Sequence, residues 1–471
     1  MMLPLLFTRR SGVFFIVVAV LLPVVAAAQQ SSPPQPRTVD LAHIAAAAYQ
    51  HSPAIRAARQ QLRGVQELYP QALANYQPDI NATAGITDED LDNSNFAGAD
   101  GATTKDVGVT FDQPVWRGGR SRAQKNEAKA RIAAQKASLA ATEQRMMADA
   151  MTAAVAAEAA TRTLSVQNNT EGLYQRLLGD TVKRQEGGEA TQTDRALAQS
   201  RLSGVTADRL QAANRRSAAG RALERQTGQT PAQWGLDDAV PTLTLQGMPA
   251  TLEAAQSLAR AANPDRAVLV AVQDAENHGI ELARGELLPE LNFRASWLRE
   301  WDPSPGLIDD ATSRQVGLRL SIPLYEGGGT RSRVRAAKNR MAQSRYELED
   351  FDLKLAQDVG DAWTRHETAQ ERARVLAEQS RSARVARDNI EREILGGEKT
   401  MTDLLQADQT WLDAQVDAIA AQEAAQNSMI EVLRLTGMLT PQNLGFGAAA
   451  YDPDAYLLAV RHRVLSTAVP D

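Results

Sequence analysis

The chain has 471 residues, a formal net charge of −6 and only 5% aromatic residues. Its length exceeds what one ordinary hydrophobic core accommodates, and its acidic balance argues against a nucleic-acid-binding protein. The sequence contains no cysteine, which excludes disulfide bonds and a lipidated N-terminal cysteine. The abundance of Ala, Gln, Arg and Glu favours long helices that pack through small side chains.

The first 28 residues have the pattern of an export signal. Arg9 and Arg10 precede an apolar stretch from Val13 to Leu22, and Ala26 to Ala28 form a small-residue cleavage site. The apolar stretch is too short to span a bilayer, so we predict a cleaved signal peptide at residues 1–28 and a linker at 29–39. No later segment is apolar over the length that a membrane-spanning helix needs, so any spanning part would have to be β.

Paired landmarks recur in the same order in two halves of the chain. Four pairs are 209 positions apart and two upstream pairs are 211 apart. The pairs are Pro114 and Pro323, Gly187–Gly188 and Gly396–Gly397, Thr193–Asp194 and Thr402–Asp403, Thr227–Gly228 and Thr436–Gly437, Pro53 and Pro264, and Pro78 and Pro289. This spacing predicts an internal duplication.

The two predicted repeats, 40–228 and 251–440, follow one plan. A helical segment leads into a β-hairpin at about 77–113 or 289–322, and then into a long helical hairpin at 119–228 or 328–437. The glycine pairs Gly187–Gly188 and Gly396–Gly397 are predicted to form the hairpin turns. Residues 229–250 are predicted to be a linker or equatorial segment, and 441–471 a C-terminal equatorial segment and tail. As one helix, the first arm would be about 100 Å long.

The last arm of the second repeat carries small and apolar residues at alternating spacings of three and four. This heptad pattern predicts close coiled-coil packing. Its members are Leu404, Ala407, Trp411, Ala414, Ala418, Ala421, Ala425, Ser428, Val432 and Leu435. A second stripe, formed by Leu405, Leu412 and Ile419, indicates neighbours on both sides, as in a cylinder of helices. A four-helix bundle is the alternative.

Four short runs alternate apolar and polar residues. Each run is about ten residues long, which suits a tilted strand across a bilayer with a wet barrel interior. The apolar positions are Ile80, Ala82, Ala84 and Ile86; Val107, Val109 and Phe111; Leu291, Phe293, Ala295 and Trp297; and Val316, Leu318, Leu320 and Ile322. A small soluble sheet resting on the helices is the alternative.

The number of strands predicts the oligomeric state. Four strands cannot close a barrel, and an open sheet edge cannot lie in lipid. Two chains would supply eight strands, a barrel that side chains fill, whereas three would supply twelve and leave room for a channel. We therefore predict a mainly α fold with a small β part. A cyclic homotrimer would combine a twelve-stranded transmembrane β-barrel with an α-helical coiled-coil barrel.

The segments "DQPVWRGGRSR" at 112–122 and "SIPLYEGGGTR" at 321–331 join each β-hairpin to a long helix. Proline cannot donate to a strand ladder, so Pro114 and Pro323 are predicted to end strand pairing. The pairs Gly118–Gly119 and Gly327–Gly328 permit the turn from sheet to helix. Eight basic residues lie beside or after the glycine pairs and are predicted to lie near phospholipid headgroups, with a solvated helix face as the alternative. They are Arg117, Arg120, Arg122, Lys125, Arg331, Arg333, Arg335 and Lys338.

These motifs, the duplication, and the turns "GGEATQTD" and "GGEKTMTD" resemble the TolC-like outer-membrane channel proteins. The resemblance covers roughly residues 40–445. It implies a trimeric channel-tunnel in the outer membrane of a Gram-negative bacterium that reaches across the periplasm. The implied partners are outer-membrane lipid, a periplasmic adaptor protein, and an inner-membrane ABC or proton-driven transporter.

The C-terminal segment narrows the function that this resemblance implies. The stretches "VLRLTGMLTPQNLG" at 432–445 and "AYDPDAYLLAVRHR" at 450–463 resemble members that serve type I protein secretion. The absence of a lipidation cysteine favours the same interpretation. Multidrug or small-molecule efflux is the alternative, and a periplasmic coiled-coil adaptor is a more distant one.

The resemblance also indicates a periplasmic gate at the hairpin turns. Asp403 matches an acidic position at the constricted end of the family's channels, and Asp194 is its mate in the first repeat. In a trimer, these carboxylates would converge, attract cations and raise some carboxyl pKa values. Lys399 matches a basic residue that holds the closed end, and Thr193 and Asp194 are its predicted partners. Ordinary helix capping is the alternative explanation.

The sequence gives no indication of an enzyme. Its five histidines are scattered without close metal-ligand spacing. "EGGGTRSR" lacks the Gly-Lys-Ser/Thr of a phosphate-binding loop. We therefore predict no catalytic residues, no cofactor and no metal, and no nucleic acid as a partner.

Overall fold

The structure is a computed structural model that describes residues 37–89, 102–236, 239–242, 249–304, 308–396, 398–463 and 466–470. The predicted signal peptide, most of the predicted linker and Gly397 lie outside the described residues. Within them, helices dominate and the strands form a minor part. This arrangement confirms the predicted mainly α class with a small β part.

The two repeats contain corresponding elements. The first has β1 (Arg37–Asp40), α1 (Leu41–His51), α2 (Pro53–Gln66), α3 (Leu68–Ala74), β2 (Asp79–Glu89), β3 (Ala102–Arg117), α4 (Arg120–Glu186) and α5 (Gln192–Thr227). The second has β4 (Ala239–Thr242), α6 (Leu252–Ala262), α7 (Pro264–Gly285), β5 (Glu290–Ser304), β6 (Ile308–Ser321), α8 (Gly329–Leu395) and α9 (Met401–Leu435). A 3-10 turn (Gly447–Ala449) and α10 (Ala455–Val460) follow.

The two β-hairpins join into one sheet of order β2–β3–β5–β6, in which every neighbouring pair is antiparallel. In the described part of this sheet, β2 and β6 are edge strands. Strand β2 has 11 residues, close to the predicted ten, whereas β3, β5 and β6 have 16, 15 and 14. The short strands β1 and β4 pair in parallel and connect the starts of the two repeats.

The prediction that Pro114 ends strand pairing is wrong. β3 continues to Arg117, and its pairing with β5 resumes at Trp116 opposite Leu291 after an irregularity between Pro114 and Trp116. A bulge leaves one residue out of the ladder, so a proline without an N–H group is tolerated there. Pro323, in contrast, lies beyond the last residue of β6.

The long helices form two antiparallel hairpins that lie side by side. Helices α4 and α8 have 67 residues each, which corresponds to about 100 Å. α4 packs on α5, α8 packs on α9, and α9 also packs on α4, giving the lateral order α5–α4–α9–α8. The two neighbours predicted for α9 are thereby confirmed. Nearer the sheet, α7 packs between α4 and α8.

Two apolar clusters hold the hairpins together at mid-height. The larger one joins α1, α4, α5 and α9, and its members Ile44, Met151, Leu223 and Leu433 are each 0% exposed. A smaller one packs α6 against α8 and α9. Burial of each such side chain contributes about 1.5–3 kcal/mol. The second hairpin is therefore fixed to the first through α9.

The C-terminal segment packs against α1 and α2. The guanidinium of Arg59 lies 4.6 Å from the ring centre of Tyr49 and 4.9 Å from that of Tyr451. The Tyr451 backbone N–H donates to the Tyr49 hydroxyl at 2.9 Å, and the Tyr456 hydroxyl donates to Glu67 at 2.6 Å. These contacts hold the tail against the first repeat.

Each glycine pair at a sheet-to-helix junction adopts left-handed backbone angles. φ is +58° and +78° at Gly118 and Gly119, and +62° and +83° at Gly327 and Gly328. Gly119 and Gly328 are the N-caps of α4 and α8. The junctions differ in their surroundings. A Cβ at Gly118 would lie 2.4 Å from the carbonyl oxygen of Gly285, whereas nothing lies within 4 Å of one at Gly327.

This difference predicts unequal effects of one substitution. Gly327→Ala should cost about 1 kcal/mol, because only the left-handed φ is unfavourable. Gly118→Ala should cost about 3 kcal/mol, because the backbone of α7 must also move. The melting temperatures of the two purified variants in detergent check this. Equal losses of thermal stability would contradict the close backbone contact at Gly118.

Candidate functional site

The strand register sorts the sheet into one apolar and one polar face. Ile80 pairs with Phe111, Phe111 with Ala295 and Ala295 with Val316, so these apolar residues lie on the same face. The opposite face carries the row Asp79, Asp112, Arg294 and Gly317. On it, Arg294 Nε donates to Asp112 at 2.6 Å. One face suits lipid and the other suits water.

The apolar face is exposed in the single chain. Ile86 is 74% exposed and Val316 75% exposed. At the helical end of the sheet, Trp116 and Tyr325 are also exposed. Such exposure of large apolar side chains marks a surface that contacts lipid or another protein, and aromatic residues at its end resemble a membrane-interface girdle.

Some of the basic residues near the junctions bind carboxylates. Arg117 and Arg120 both pair with Glu290, at 3.5 and 2.5 Å, and so link the start of α4 to the start of β5. Arg333 pairs with Glu286 at 2.7 Å. Lys125 lies over the ring of Tyr76 at 5.7 Å. Arg122, Arg331, Arg335 and Lys338 are exposed. Contact of the basic residues with headgroups stays a prediction.

The opposite end of the molecule contains the two helical hairpin turns. Gly187 and Gly396 are the C-caps of α4 and α8, with φ of −80° and −81°. Gly188 follows with φ of +80°. α5 and α9 then begin with a capping box, in which Thr191 pairs with Asp194 and Thr400 with Asp403. In the described residues, the two hairpin turns therefore share their C-cap and capping-box geometry.

The capping boxes fix the predicted gate carboxylates. The Thr400 backbone N–H and hydroxyl both donate to Asp403 Oδ2, at 2.9 and 2.8 Å. The same two donors of Thr191 bind Asp194 Oδ2, each at 2.8 Å. In each case, the hydrogen bond from the threonine N–H holds the pKa of the aspartate below its ordinary value. Both are therefore anionic at neutral pH.

Within one chain, the charge of Lys399 affects the carboxylate of its own turn. Its positive charge also contributes to lowering the pKa of Asp403, after the hydrogen bonds from Thr400. Lys399 and Thr193 are both exposed. Pairing of Lys399 with Thr193 and Asp194 stays a prediction, and so do the raised carboxyl pKa values expected where three chains converge.

The structure adds a buried ion pair that the sequence analysis did not single out. Arg387 Nε on α8 donates to Asp408 Oδ1 on α9 at 2.9 Å, and the Asp408 side chain is 3% exposed. Burial raises the pKa of Asp408, while Arg387 opposes this. Asp408 lies four residues before Leu412, on the same apolar stripe of α9. An acidic residue on an apolar helix face could have indicated a buried ion pair from the sequence alone.

A small apolar cluster lies near the same end of the hairpins. Tyr174 on α4, Val205 on α5 and Leu405 on α9 are buried against one another. Together with the pair of Arg387 and Asp408, this cluster places side chains of all four long helices close to the turns. The turn end of the helical hairpins is thus a packed unit in each chain.

The described residues contain neither a metal-binding cluster nor a membrane-spanning helix. In these ranges, no group of three or more His, Cys, Asp or Glu residues could hold a metal ion. No helix there has both the length and the apolar character needed to cross a membrane.

A sheet with one apolar face, continuous with two long helical hairpins, defines the class of outer-membrane channels with a helical extension. The sequence profile described as "Outer membrane efflux protein" matches residues 45–229 and 255–438, which together make up most of the chain. The chain belongs to this family. The two matches also confirm the internal duplication.

Named relatives and a solved structure agree with this assignment. The chain is 24% identical to the outer membrane efflux protein BepC of Brucella suis over 90% of this chain and 91% of BepC. It is 27% identical to the alkaline protease secretion protein AprF of Pseudomonas aeruginosa over 56% of each chain. The CmeC outer membrane channel of Campylobacter jejuni superposes with a TM-score of 0.73 at 14% identity, over 84% of this chain and 85% of CmeC.

The protein is therefore an outer-membrane channel that extends into the periplasm, and it is not an enzyme, as the sequence predicted. Since the strands form the membrane part, the hairpin turns lie at the periplasmic end.

The charge at the turns predicts the effect of one substitution on the closed channel. Lys399→Glu should increase the conductance of the channel in planar bilayers, because it replaces an attraction to Asp194 and Asp403 by repulsion. Lys183→Glu is the matched control, because Lys183 is an exposed cation on the last turn of α4. An unchanged conductance for Lys399→Glu, or an equal increase for both variants, would remove Lys399 from the gate.

Proposed function

We propose that three copies of this chain form the outer-membrane exit channel of a type I protein secretion system. Each chain would contribute four strands to a twelve-stranded barrel and two helical hairpins to a periplasmic tunnel. A periplasmic adaptor and an inner-membrane ABC transporter would complete the system and supply the energy. The observation that carries the assembly is that, in the described residues, each of the two flanks of a protomer has an edge strand and a long helix.

The first flank consists of β2 and α5, and the second consists of β6 and α8. Because neighbouring strands alternate in direction, β6 of one copy and β2 of the next run antiparallel, as continued pairing requires. Joining the flanks around a ring removes both sheet edges, which lipid does not tolerate.

The helices support the same assembly. α4 and α8 have equal lengths, yet α4 buries 20 side chains whereas the described part of α8 buries seven. Large apolar residues are exposed on α8: Leu353 is 70% exposed, Val375 50% and Val385 60%. A neighbouring copy that packed its α5 against α8 would cover this surface.

Threefold symmetry would bring the carboxylates of the hairpin turns together and form a gate. Asp194 and Asp403 of three copies would place six carboxylates at the periplasmic opening. Within one chain the capping boxes lower the pKa of these carboxyl groups, whereas their convergence in a trimer would raise some of the pKa values. The remaining negative charge would favour cations at the opening until the hairpins separate. Lys399 would hold the closed end by binding Thr193 and Asp194 of another hairpin.

Two observations support protein secretion as the transport task. AprF is named for secretion of an alkaline protease, and the C-terminal segment resembles members that serve type I secretion. Efflux of drugs or other small molecules is the second candidate, favoured because the match to the efflux protein BepC extends over 90% of this chain.

The oligomeric state tests the assembly. Chemical crosslinking of the purified protein in detergent should give a trimer as its largest product. Heat should convert the assembly to monomers on gels, because the barrel dissociates. Products that stop at the dimer would contradict the twelve-stranded barrel.

The transport task needs a separate measurement in the native host. Deleting the gene should trap a secreted protein inside the cell while leaving susceptibility to small toxic compounds within about twofold of the parent strain, since the channel's partner would be a protein exporter. A complemented strain is the control. Increased susceptibility with normal protein secretion would favour efflux instead.

A further inference from the structure

Three of the four barrel strands share a pattern on the apolar face that the channel function does not require. In each, an apolar run is followed, toward the end remote from the helices, by one basic residue. Phe111, Val109 and Val107 lead to Lys105; Leu291, Phe293, Ala295 and Trp297 lead to Arg299; and Leu320, Leu318 and Val316 lead to Arg314. On β2, the corresponding position is Asp88.

The register brings these cations together with two tryptophans. Lys105 pairs with Trp301, and Arg314 pairs with Trp297. Arg299, on the same face, lies between these two rows. Its guanidinium lies 5.0 Å from the ring centre of Trp301. These five residues form the outer basic patch.

The height of the outer basic patch matches a membrane boundary. From Leu291 to Trp301 the strand advances ten positions, about 34 Å along its axis. A tilt near 45° places Trp301 about 24 Å above Leu291, close to the height of the apolar band of an outer-membrane barrel. The row of Trp297 and Arg314 lies four positions nearer the helices, about 14 Å above Leu291, and the long side chain of Arg314 can extend from there toward the headgroups. Since the helices lie on the periplasmic side, the patch lies at the outer leaflet.

The charge of the patch is only partly neutralised by the residues that the structure describes. Asp310 pairs with Arg299 at 3.2 Å, and Asp88 accepts a hydrogen bond from Thr103 at 2.9 Å. Lys105 and Arg314 are exposed, and neither has a carboxylate partner among the described residues. Cations on a lipid-facing surface are unfavourable within the hydrocarbon and are accepted where anionic headgroups begin.

We propose that the outer basic patch binds the phosphate groups of a phosphorylated glycolipid in the outer leaflet. Arg299 and Arg314 present guanidinium forks that match phosphate geometry, and Lys105 adds a point charge. Trp297 and Trp301 pack against the boundary between its sugar and acyl parts. The proposal rests on the proposed membrane assembly, in which the apolar face lies in lipid, and three copies give three such patches.

The test measures binding of purified, full-length trimer to lipid A and to dephosphorylated lipid A in detergent. The wild-type protein should bind the phosphorylated form more tightly by at least tenfold. Lys105→Gln/Arg314→Gln should lose most of this preference, about fivefold for each cation removed. Arg299 is left unchanged because it also pairs with Asp310.

Two control variants make the result specific. Arg319→Gln removes an exposed cation from β6 on the polar face and should keep the preference. Lys105→Arg/Arg314→Lys retains both charges and should keep it too. An equal affinity of the wild-type protein for the two lipids would overturn the proposal, as would an equal loss in Arg319→Gln.

The oligomeric state separates this proposal from the proposed function. Each protein is first checked for heat-sensitive migration as a trimer. If the wild-type protein forms trimers but binds both lipids equally, only the phosphate patch is wrong. If it forms no trimer at all, both the proposed assembly and the patch that rests on it are wrong.

Discussion

The unpaired backbone groups at the edges of a four-stranded sheet govern the architecture of this protein. In lipid, every N–H and C=O group needs a partner within the protein. The edges β2 and β6 can obtain such partners only from other chains. The helices α5 and α8 pair their own backbone groups, but they lie on the same flanks as these edges, so the chain that pairs with an edge strand also meets a long helix. The sheet thus dictates how the helical part meets its neighbours.

The two repeats have corresponding elements in the same order, but their sheet-to-helix junctions have different surroundings. At the first junction, Gly118 lies against the backbone of Gly285, and Arg117 and Arg120 bind Glu290 across the repeats. The second junction around Gly327 is open. The first junction is therefore packed inside the chain, whereas the second is exposed, as is much of the α8 helix that follows it.

At the hairpin ends, two kinds of interaction occur: capping boxes within each turn and an ion pair between two helices. Asp194 and Asp403 are held by threonines three residues away, so their positions depend on local sequence. Arg387 and Asp408, in contrast, join two helices in a buried pair. Such a pair contributes little net stability but is costly to break on one side, and it favours one relative position of the helices. The carboxylates at the turns and the contacts that set the spacing of the helices are therefore separate.

The sequence by itself determined the elements whose signals are local or repeated. The duplication, the rod-like α4 and α8, the glycine junctions and the alternation of the strands all follow from spacing and residue type. It failed at Pro114, because whether a proline ends a strand depends on a bulge against β5, a partner some 180 positions away in the chain. It also missed Arg387 and Asp408, since an acid on an apolar stripe shows no partner until the helices pack.

Only the tertiary structure decided which cations share a face with which aromatic rings. Lys105 is far in sequence from Arg299 and Arg314, and the common face of all three depends on strand register. A shift of one residue would move any of them to the other face. Composition and periodicity thus determined the kinds of element in this protein, whereas long-range pairing decided the surfaces they present together.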